Sequence, residues 1–305
     1  MVRSLKGDKM INVNTSKVII CSNAANLTAA LAAYTSTATV EAEYGDTTVQ
    51  GTMVTMAHHG KNAGNKCPCA YENFSYAQPL EAVGVSHIDL DTLGGIMALM
   101  GIKPEAPGFW ALAEYVDLNG PHKVSQSGAS ASDMSKLYAW MAYSKKNTLR
   151  AEKDGSITDV TEPVTKMVGV LTLIINDDPG LMAEGTAFLG EEKDLNIRSF
   201  IEVVGGVILR VSRDREFVNA LYNPPSASAP ALAVVALKIG GGVTLSFADS
   251  IDGVSANDLV KEVWGPNAGG HAGIAGNPRG QTATMAEALC LRDLAVKSLK
   301  TESTV

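Results

Sequence analysis

The feature that most narrows the fold is a junction between residues 80 and 100. Ala82-Val-Gly-Val-Ser86 is a short apolar run of strand length, His87-Ile-Asp-Leu-Asp91 is polar at every second position, and Thr92 to Met100 reads as a buried helix. A strand that passes through a polar edge into a helix is the repeating unit of an open α/β sheet. Ligands of such sheets collect at the carboxyl ends of the strands. Earlier, Lys17 to Cys21 reads as a strand. Thr37 to Thr55 is rich in Val and Thr and carries a turn signal at Gly45-Asp46, which predicts a hairpin. Trp110 to Val116 reads as another short apolar strand. Met134, Leu137, Tyr138, Met141 and Ala142 have helical spacing within Ser130 to Arg150. Residues 151 to 195 are mainly helical, with a turn at Asp177-Asp178-Pro179-Gly180.

The last third changes character. Phe200 to Val211 and Ala231 to Phe247 are extended and rich in Val and Ile, and Ser255 to Val263 is a helix with Ser255 as its N-cap. A glycine-rich loop, Gly265 to Gly280, leads into a last helix over Gln281 to Lys297. The expected fold is α/β: a mostly parallel sheet domain with flanking helices, then a smaller mixed α/β C-terminal domain. The domains are placed at 1–196, with a strand-rich N-terminal extension over about 1–80, and at 197–305. Of the 305 residues, 46% are hydrophobic and 19% charged, enough for a real core, which excludes wholesale disorder.

The net charge of −7 and the lack of any Lys/Arg run disfavour a long nucleic acid as partner. Cys21, Cys67, Cys69 and Cys290 are too few and too uneven for a disulfide framework. Met1 to Met10 leads into no apolar signal core, and Pro230 to Val243 is too broken to span a bilayer. The expectation is a cytoplasmic protein with reduced thiols and no membrane contact. Oligomeric state is not legible, and a homo-oligomer stays open.

Candidate ligands follow from the histidines: His58, His59, His87, His122 and His271 all fall outside the helix patterns. If residues 86–91 are extended, His87, Asp89 and Asp91 point to one side, so an imidazole and two carboxylates converge at a strand end. Such a set suits a divalent cation, with Mn²⁺ favoured and Mg²⁺, Zn²⁺ or Fe²⁺ acceptable. The competing reading is that Asp89 or Asp91 caps the helix at Thr92. Asp117-Leu-Asn-Gly-Pro-His122 offers a second carboxylate and imidazole, or else a simple Pro/Gly turn. His58-His59-Gly60 can join the same site, or bind a separate Zn²⁺ with Cys67 and Cys69. Gly269-Gly270-His271, with Arg279 close behind, suits substrate binding, because clustered glycines expose backbone N–H groups to anionic oxygens.

The order of these motifs resembles the DHH phosphoesterase family with its DHH-associated C-terminal domain. That family's first motif is a strand ending in His-x-Asp-x-Asp-Gly, and Ser86-His87-Ile-Asp89-Leu-Asp91-Thr92 is similar, with Thr92 where Gly is usual. Ala268-Gly269-Gly270-His271 and Ile274-Ala275-Gly276 are similar to the C-terminal signature. The Asp-His-His triplet is absent. Asp117 and His122 are the candidates to replace it, and His58 or His59 to supply its missing ligand. The resemblance implies hydrolysis of a small phosphorylated substrate (a short oligonucleotide, a cyclic dinucleotide or a nucleotide) by metal-activated water. In that scheme Asp89, Asp91, Asp117 and His122 are catalytic, and His58, His59 and His87 join them as metal ligands. Two other readings stand beside it: an inactive nucleotide- or metal-binding module on the same fold, and a metal-dependent hydrolase of a non-phosphate bond.

Overall fold

The computed structural model describes residues 16–302 except 45, 46, 50, 60, 61, 63, 76–78, 214–217, 227, 228 and 279. The Gly45-Asp46 turn, Gly60, Arg279 and the segment Met1 to Met10 therefore lie outside the described residues. The chain divides into two compact units, one ending at Phe188 and the other beginning at Leu189.

In chain order the first unit runs β1 (Lys17–Ile20), α1 (Ala24–Leu31), β2 (Thr37–Val40), β3 (Glu43–Tyr44), β4 (Thr47–Thr48), β5 (Val54–Met56) and β6 (Ala82–Val85). It continues with α2 (Leu90–Leu99), α3 (Pro107–Asn119), α4 (Ala131–Lys146), β7 (Thr158–Asp159), α5 (Thr161–Ile175) and the start of α6 (Pro179–Ser199). Five strands form one sheet in the order β5-β2-β6-β1-β7, parallel except for β7. Strand alternation divides the core. Val18, Ile20, Val40 and Val85 pack with Leu93, Phe109 and Leu171 on one face. Ile19 and Ala82 pack with Leu27 and Leu31 of α1 on the other. The sheet is thus sandwiched between helices, as a parallel sheet requires.

Two sequence expectations are corrected here. Thr37 to Thr55 is not a two-stranded hairpin: β2 and β5 pair in parallel, and only the two-residue strands β3 and β4 pair antiparallel between them. β2 has β6 on its other side, so the parallel pairing buries both of its faces. Trp110 to Val116 is not a strand but the middle of α3. Pro107 sits in its first turn, and Phe109, Trp110, Leu112 and Ala113 bury one helical face.

A short 3-10 turn, Pro68–Ala70, lies directly on α2. A Cβ at Gly94 would stand 2.7 Å from Cys69 Cβ, and one at Gly95 would stand 2.7 Å from Pro68 Cβ. Lys103 fastens the same turn from the other side, with its ammonium donating to the carbonyls of Cys69 and Tyr71 and lying over the Trp110 ring.

The second unit holds β8 (Phe200–Val204), β9 (Val207–Ser212), β10 (Ala233–Lys238), β11 (Val243–Phe247), α7 (Ala256–Trp264), β12 (Gly269–Gly270), β13 (Ile274–Gly276) and α8 (Met285–Glu302). Its sheet order is β12-β13-β11-β10-β9-β8, with β9 and β10 parallel and the other pairs antiparallel. Each long extended run is thus a pair of strands, the first reversing at Gly205-Gly206. Ser255 caps α7 by accepting from Asp258 N. Arg210 is fully buried in this sheet and donates to Asn196, Ser199 and the carbonyls of Leu221 and Asn223. No helix among the described residues is long and apolar enough to cross a membrane.

Candidate metal centre

The carboxyl ends of β2, β5 and β6 lie side by side, because the three strands run parallel in the order β5-β2-β6. Each strand is followed at once by polar residues: Glu41 after β2, His58 and His59 after β5, Ser86 and His87 after β6. Glu41 is held in place by its own backbone. Its N–H donates to the Met56 carbonyl at 2.9 Å, and its carbonyl accepts from the Ser86 hydroxyl. Its φ is +50°, a left-handed conformation that costs a residue with a Cβ on the order of 1–3 kcal/mol. The two flanking strands enforce that conformation, and Glu41 is left 2% exposed.

His58 is the hub of the cluster. Its Nε2 lies 3.1 Å from Asp117 Oδ2, 3.5 Å from Glu41 Oε1 and 3.5 Å from Asp91 Oδ2. Its Nδ1 faces Cys67 Sγ at 3.5 Å. His59 is exposed, and its Nε2 reaches Glu41 Oε2 at 3.3 Å. Glu43 positions both histidines from behind by accepting from the backbone N–H groups of His58 and His59. Asp117 comes from the last turn of α3, where the helix dipole disfavours a carboxylate, so a nearby positive group is needed to offset it.

The His-Ile-Asp-Leu-Asp run is not extended, which corrects the one-sided geometry expected of it. β6 stops at Val85, and the Asp89 side chain accepts from Thr92 N at 2.8 Å, so α2 starts at Leu90. The two carboxylates then part company. Asp89 is the N-cap and pairs with His87, Oδ2 to Nε2 at 3.1 Å, with both side chains about half exposed. Asp91 lies in the first turn of α2, 2% exposed, and accepts from Cys69 N at 2.8 Å through Oδ1 while Oδ2 faces His58.

His122 sits in a 3-10 turn after α3, half-buried, with its ring folded over Gly120. Among the described residues, the groups whose ligating atoms all lie within 4.8 Å of one another are Glu41/His58/His59 and His58/Cys67/Asp117, and His122 belongs to neither. In the second unit, His271 is exposed in the turn between β12 and β13. There the N–H of Gly270 donates to Asn257 Oδ1 of α7 and that of His271 to the Ile274 carbonyl, so these donors are engaged within the second unit.

Electrostatics reinforce the geometry. Burial, with Asp91 and Glu43 nearby, pushes Glu41 up to about 9. Burial raises Asp91 to about 7, against hydrogen bonds from Cys69 that work the other way. Burial likewise raises Asp117, with His58 opposing, and lowers His58. At the rim the hydrogen bond to Asp89 raises His87. Burial works against ionisation of Asp89, but the bonds from His87 and Thr92 hold its carboxyl below the usual range. Three atoms at the centre, Glu41 Oε1, His58 Nε2 and Asp91 Oδ2, are buried without a hydrogen-bond partner. Unsatisfied buried acceptors of one sign beside an imidazole nitrogen are what a cation relieves. In each group one ligand atom from every residue lies within 4.8 Å of the others. Pairwise contacts such as His58 Nε2 to Asp117 Oδ2 at 3.1 Å and to Glu41 Oε1 at 3.5 Å are close to the roughly 3–4 Å between donors in one coordination sphere.

Glu41 went unrecognised as a ligand in the sequence, although an acidic residue directly after the strand Thr37–Val40 was a usable signal. No family model matches the chain, and no curated protein matches it. Among solved structures it is similar to an exopolyphosphatase-related protein from Bacteroides fragilis, with 12% identity and a TM-score of 0.35 over 75% of this chain and 67% of that one. It is also similar to an uncharacterized protein from Helicobacter pylori G27, with 11% identity and a TM-score of 0.20 over 83% of this chain and 76% of that one.

Proposed function

We propose that the chain is a metal-dependent phosphoesterase acting on a small phosphorylated substrate: a short oligonucleotide, a cyclic dinucleotide or a nucleotide. The observation that carries this reading is the convergence of Glu41, Asp91 and Asp117 on His58, with three buried atoms lacking partners. A divalent cation bound there supplies Lewis acidity toward a phosphoryl oxygen and a more acidic water. Glu41, His58, Asp91 and Asp117 would hold it, with His59 at the exposed edge. His87, whose pKa the hydrogen bond to Asp89 raises, would favour a phosphate at the rim whenever it is protonated. Ala57-His58-His59 follows β5, and Glu41 on the neighbouring strand provides a carboxylate beside the two histidines.

The test is hydrolysis of a model phosphodiester, a phosphomonoester and a carboxylic ester by the full chain, with added Mn²⁺ and with chelator, beside Asp91→Asn. Chelator-sensitive cleavage of a phosphate ester that Asp91→Asn abolishes is the expected result. Cleavage of the carboxylic ester alone would transfer the reading to a non-phosphate hydrolase, and no cleavage with metal retained would make the chain a binding module.

A further inference from the structure

Cys67 and Cys21 are both buried thiols, in different company. Cys21 donates its thiol to the Gly155 carbonyl at 3.2 Å, as a packed core cysteine does. Cys67, 1% exposed, instead faces a histidine nitrogen and a carboxylate: His58 Nδ1 at 3.5 Å and Asp117 Oδ2 at 3.9 Å. Asp117 Oδ2 is in turn 3.1 Å from His58 Nε2. Three different donor types thus gather, one ligand atom from each lying within 4.8 Å of the others. Around a tetrahedral ion with Zn–N and Zn–O near 2.0–2.1 Å and Zn–S near 2.3 Å, donors stand roughly 3.4–3.6 Å apart. Cys67 Sγ and His58 Nδ1, at 3.5 Å, already stand at that spacing, and the three side chains, within 4.8 Å of one another, close on one ion with a small inward shift.

We infer that His58, Cys67 and Asp117 form a thiolate-bearing cation subsite that takes Zn²⁺ in preference to Mn²⁺ or Mg²⁺. The inference deepens the metal-centre reading above and rests on it. A second observation points to a ligand here: His58 Nε2, an atom of this group, and Asp91 Oδ2, which faces it, are buried without hydrogen-bond partners on side chains 2% exposed.

The preference follows from donor chemistry. Thiolate selects softer, borderline ions, whereas Mn²⁺ and Mg²⁺ prefer carboxylate, carbonyl and water oxygen. The Glu41/His58/His59 group has no sulfur and stays a harder set, so the two groups differ in kind while sharing His58. The Cys67 sulfur is 1% exposed and faces the Asp117 carboxylate at 3.9 Å. On binding, the S–H bond breaks, its proton leaves to solvent and a sulfur–zinc bond forms. Nothing is oxidised or reduced. The Pro68–Ala70 turn fixes the thiol's position, because α2 and Lys103 hold that turn from two sides.

Cobalt substitution reads this directly, since Co²⁺ occupies zinc sites and a cysteine ligand gives a thiolate-to-cobalt charge-transfer band. The full chain stripped of metal and titrated with Co²⁺ should show the band. Cys67→Ser should lose it, and Cys290→Ser, at an exposed thiol of the second unit, should keep it. Zn²⁺ affinity of Cys67→Ser should fall at least ~10-fold, the floor set by losing an outer-shell partner alone, while Mn²⁺ affinity falls less. Cobalt binding with no charge-transfer band in the unsubstituted protein, or a band that survives Cys67→Ser, would overturn the inference and leave the metal centre intact. If the unsubstituted protein binds no Co²⁺, Zn²⁺ or Mn²⁺ at all, the proposed function falls with it.

Discussion

Glu41 Oε1 lies 3.5 Å from His58 Nε2, with both side chains 2% exposed and neither atom hydrogen-bonded. The pair is built from two parallel strands. Glu41 takes a left-handed backbone at the end of β2 and His58 follows β5, with Glu41 N–H bonded to Met56 O between them. A carboxylate is therefore held at a strained position and buried beside Asp91 and Glu43, an arrangement that destabilises the metal-free fold.

That cost makes the first prediction. Glu41→Gln keeps the shape and removes the charge, so the metal-free variant should unfold at a higher temperature than the metal-free parent above pH 7. The gain is roughly 2–4 °C for each kcal/mol recovered. The same variant should bind less metal. Thermal unfolding and metal analysis on one preparation check both, and a variant that is both less stable and fully loaded contradicts the role given to Glu41.

A pH dependence follows from the same burial. The folded-state values of Glu41, about 9, and Asp91, about 7, lie above their ordinary values of 4.5 and 3.8. The native state then holds more protons than the unfolded state through that window, so stability from these groups is full below pH 4 and is lost as pH rises through 7 to 9. Metal-free protein should show its unfolding midpoint fall from pH 6 to 9, and saturating metal should flatten that slope. A metal-free midpoint that rises over the window would contradict the assignment.

Asp89 and Asp91 should separate cleanly. Asp89→Ala removes an N-cap and should cost about 1 kcal/mol of stability with metal content largely kept. Asp91→Asn keeps an acceptor for Cys69 N but removes a charge facing His58, and should empty the site. Chemical denaturation and metal-to-protein ratios measure the two effects. Equal metal loss from both would restore the extended, one-sided motif.

Gly94 tests the link between fold and site. Its Cβ position lies 2.8 Å from Cys69 Cα, so Gly94→Ala must push the Pro68–Ala70 turn off α2. Overpacking of this kind costs about 1–3 kcal/mol. The variant should also bind metal more weakly, because Asp91 accepts from Cys69 N and Cys67 begins the same turn. Unchanged metal affinity at reduced stability would show that the turn does not position the site.

The sequence made some of this legible and hid the rest for physical reasons. Ala82 to Ser86 followed by a helix announced the α/β sheet, because a buried parallel strand reads as an unbroken apolar run. Asp91 was legible as a carboxylate at a strand end. Its direction was not, because Asp89 caps α2 and turns the chain helical one residue later. The seven residues Trp110 to Val116 are too short for period alone to tell strand from helix. Pro107 and the three- and four-residue spacing of Phe109, Leu112 and Ala113 carried the answer. Glu41 was hidden because its role depends on non-local pairing: only when β2 lies between β5 and β6 does residue 41 meet residues 58 and 91.

The most direct test of the metal centre is the metal-to-protein ratio of the full chain after Mn²⁺ and Zn²⁺ loading and removal of free ion, measured beside His58→Ala. His58 is the donor common to both groups of ligands. The unsubstituted protein should hold at least one tightly bound divalent ion per chain, and His58→Ala almost none. An unsubstituted chain that retains no ion, or a His58→Ala variant that retains as much as its parent, would contradict it.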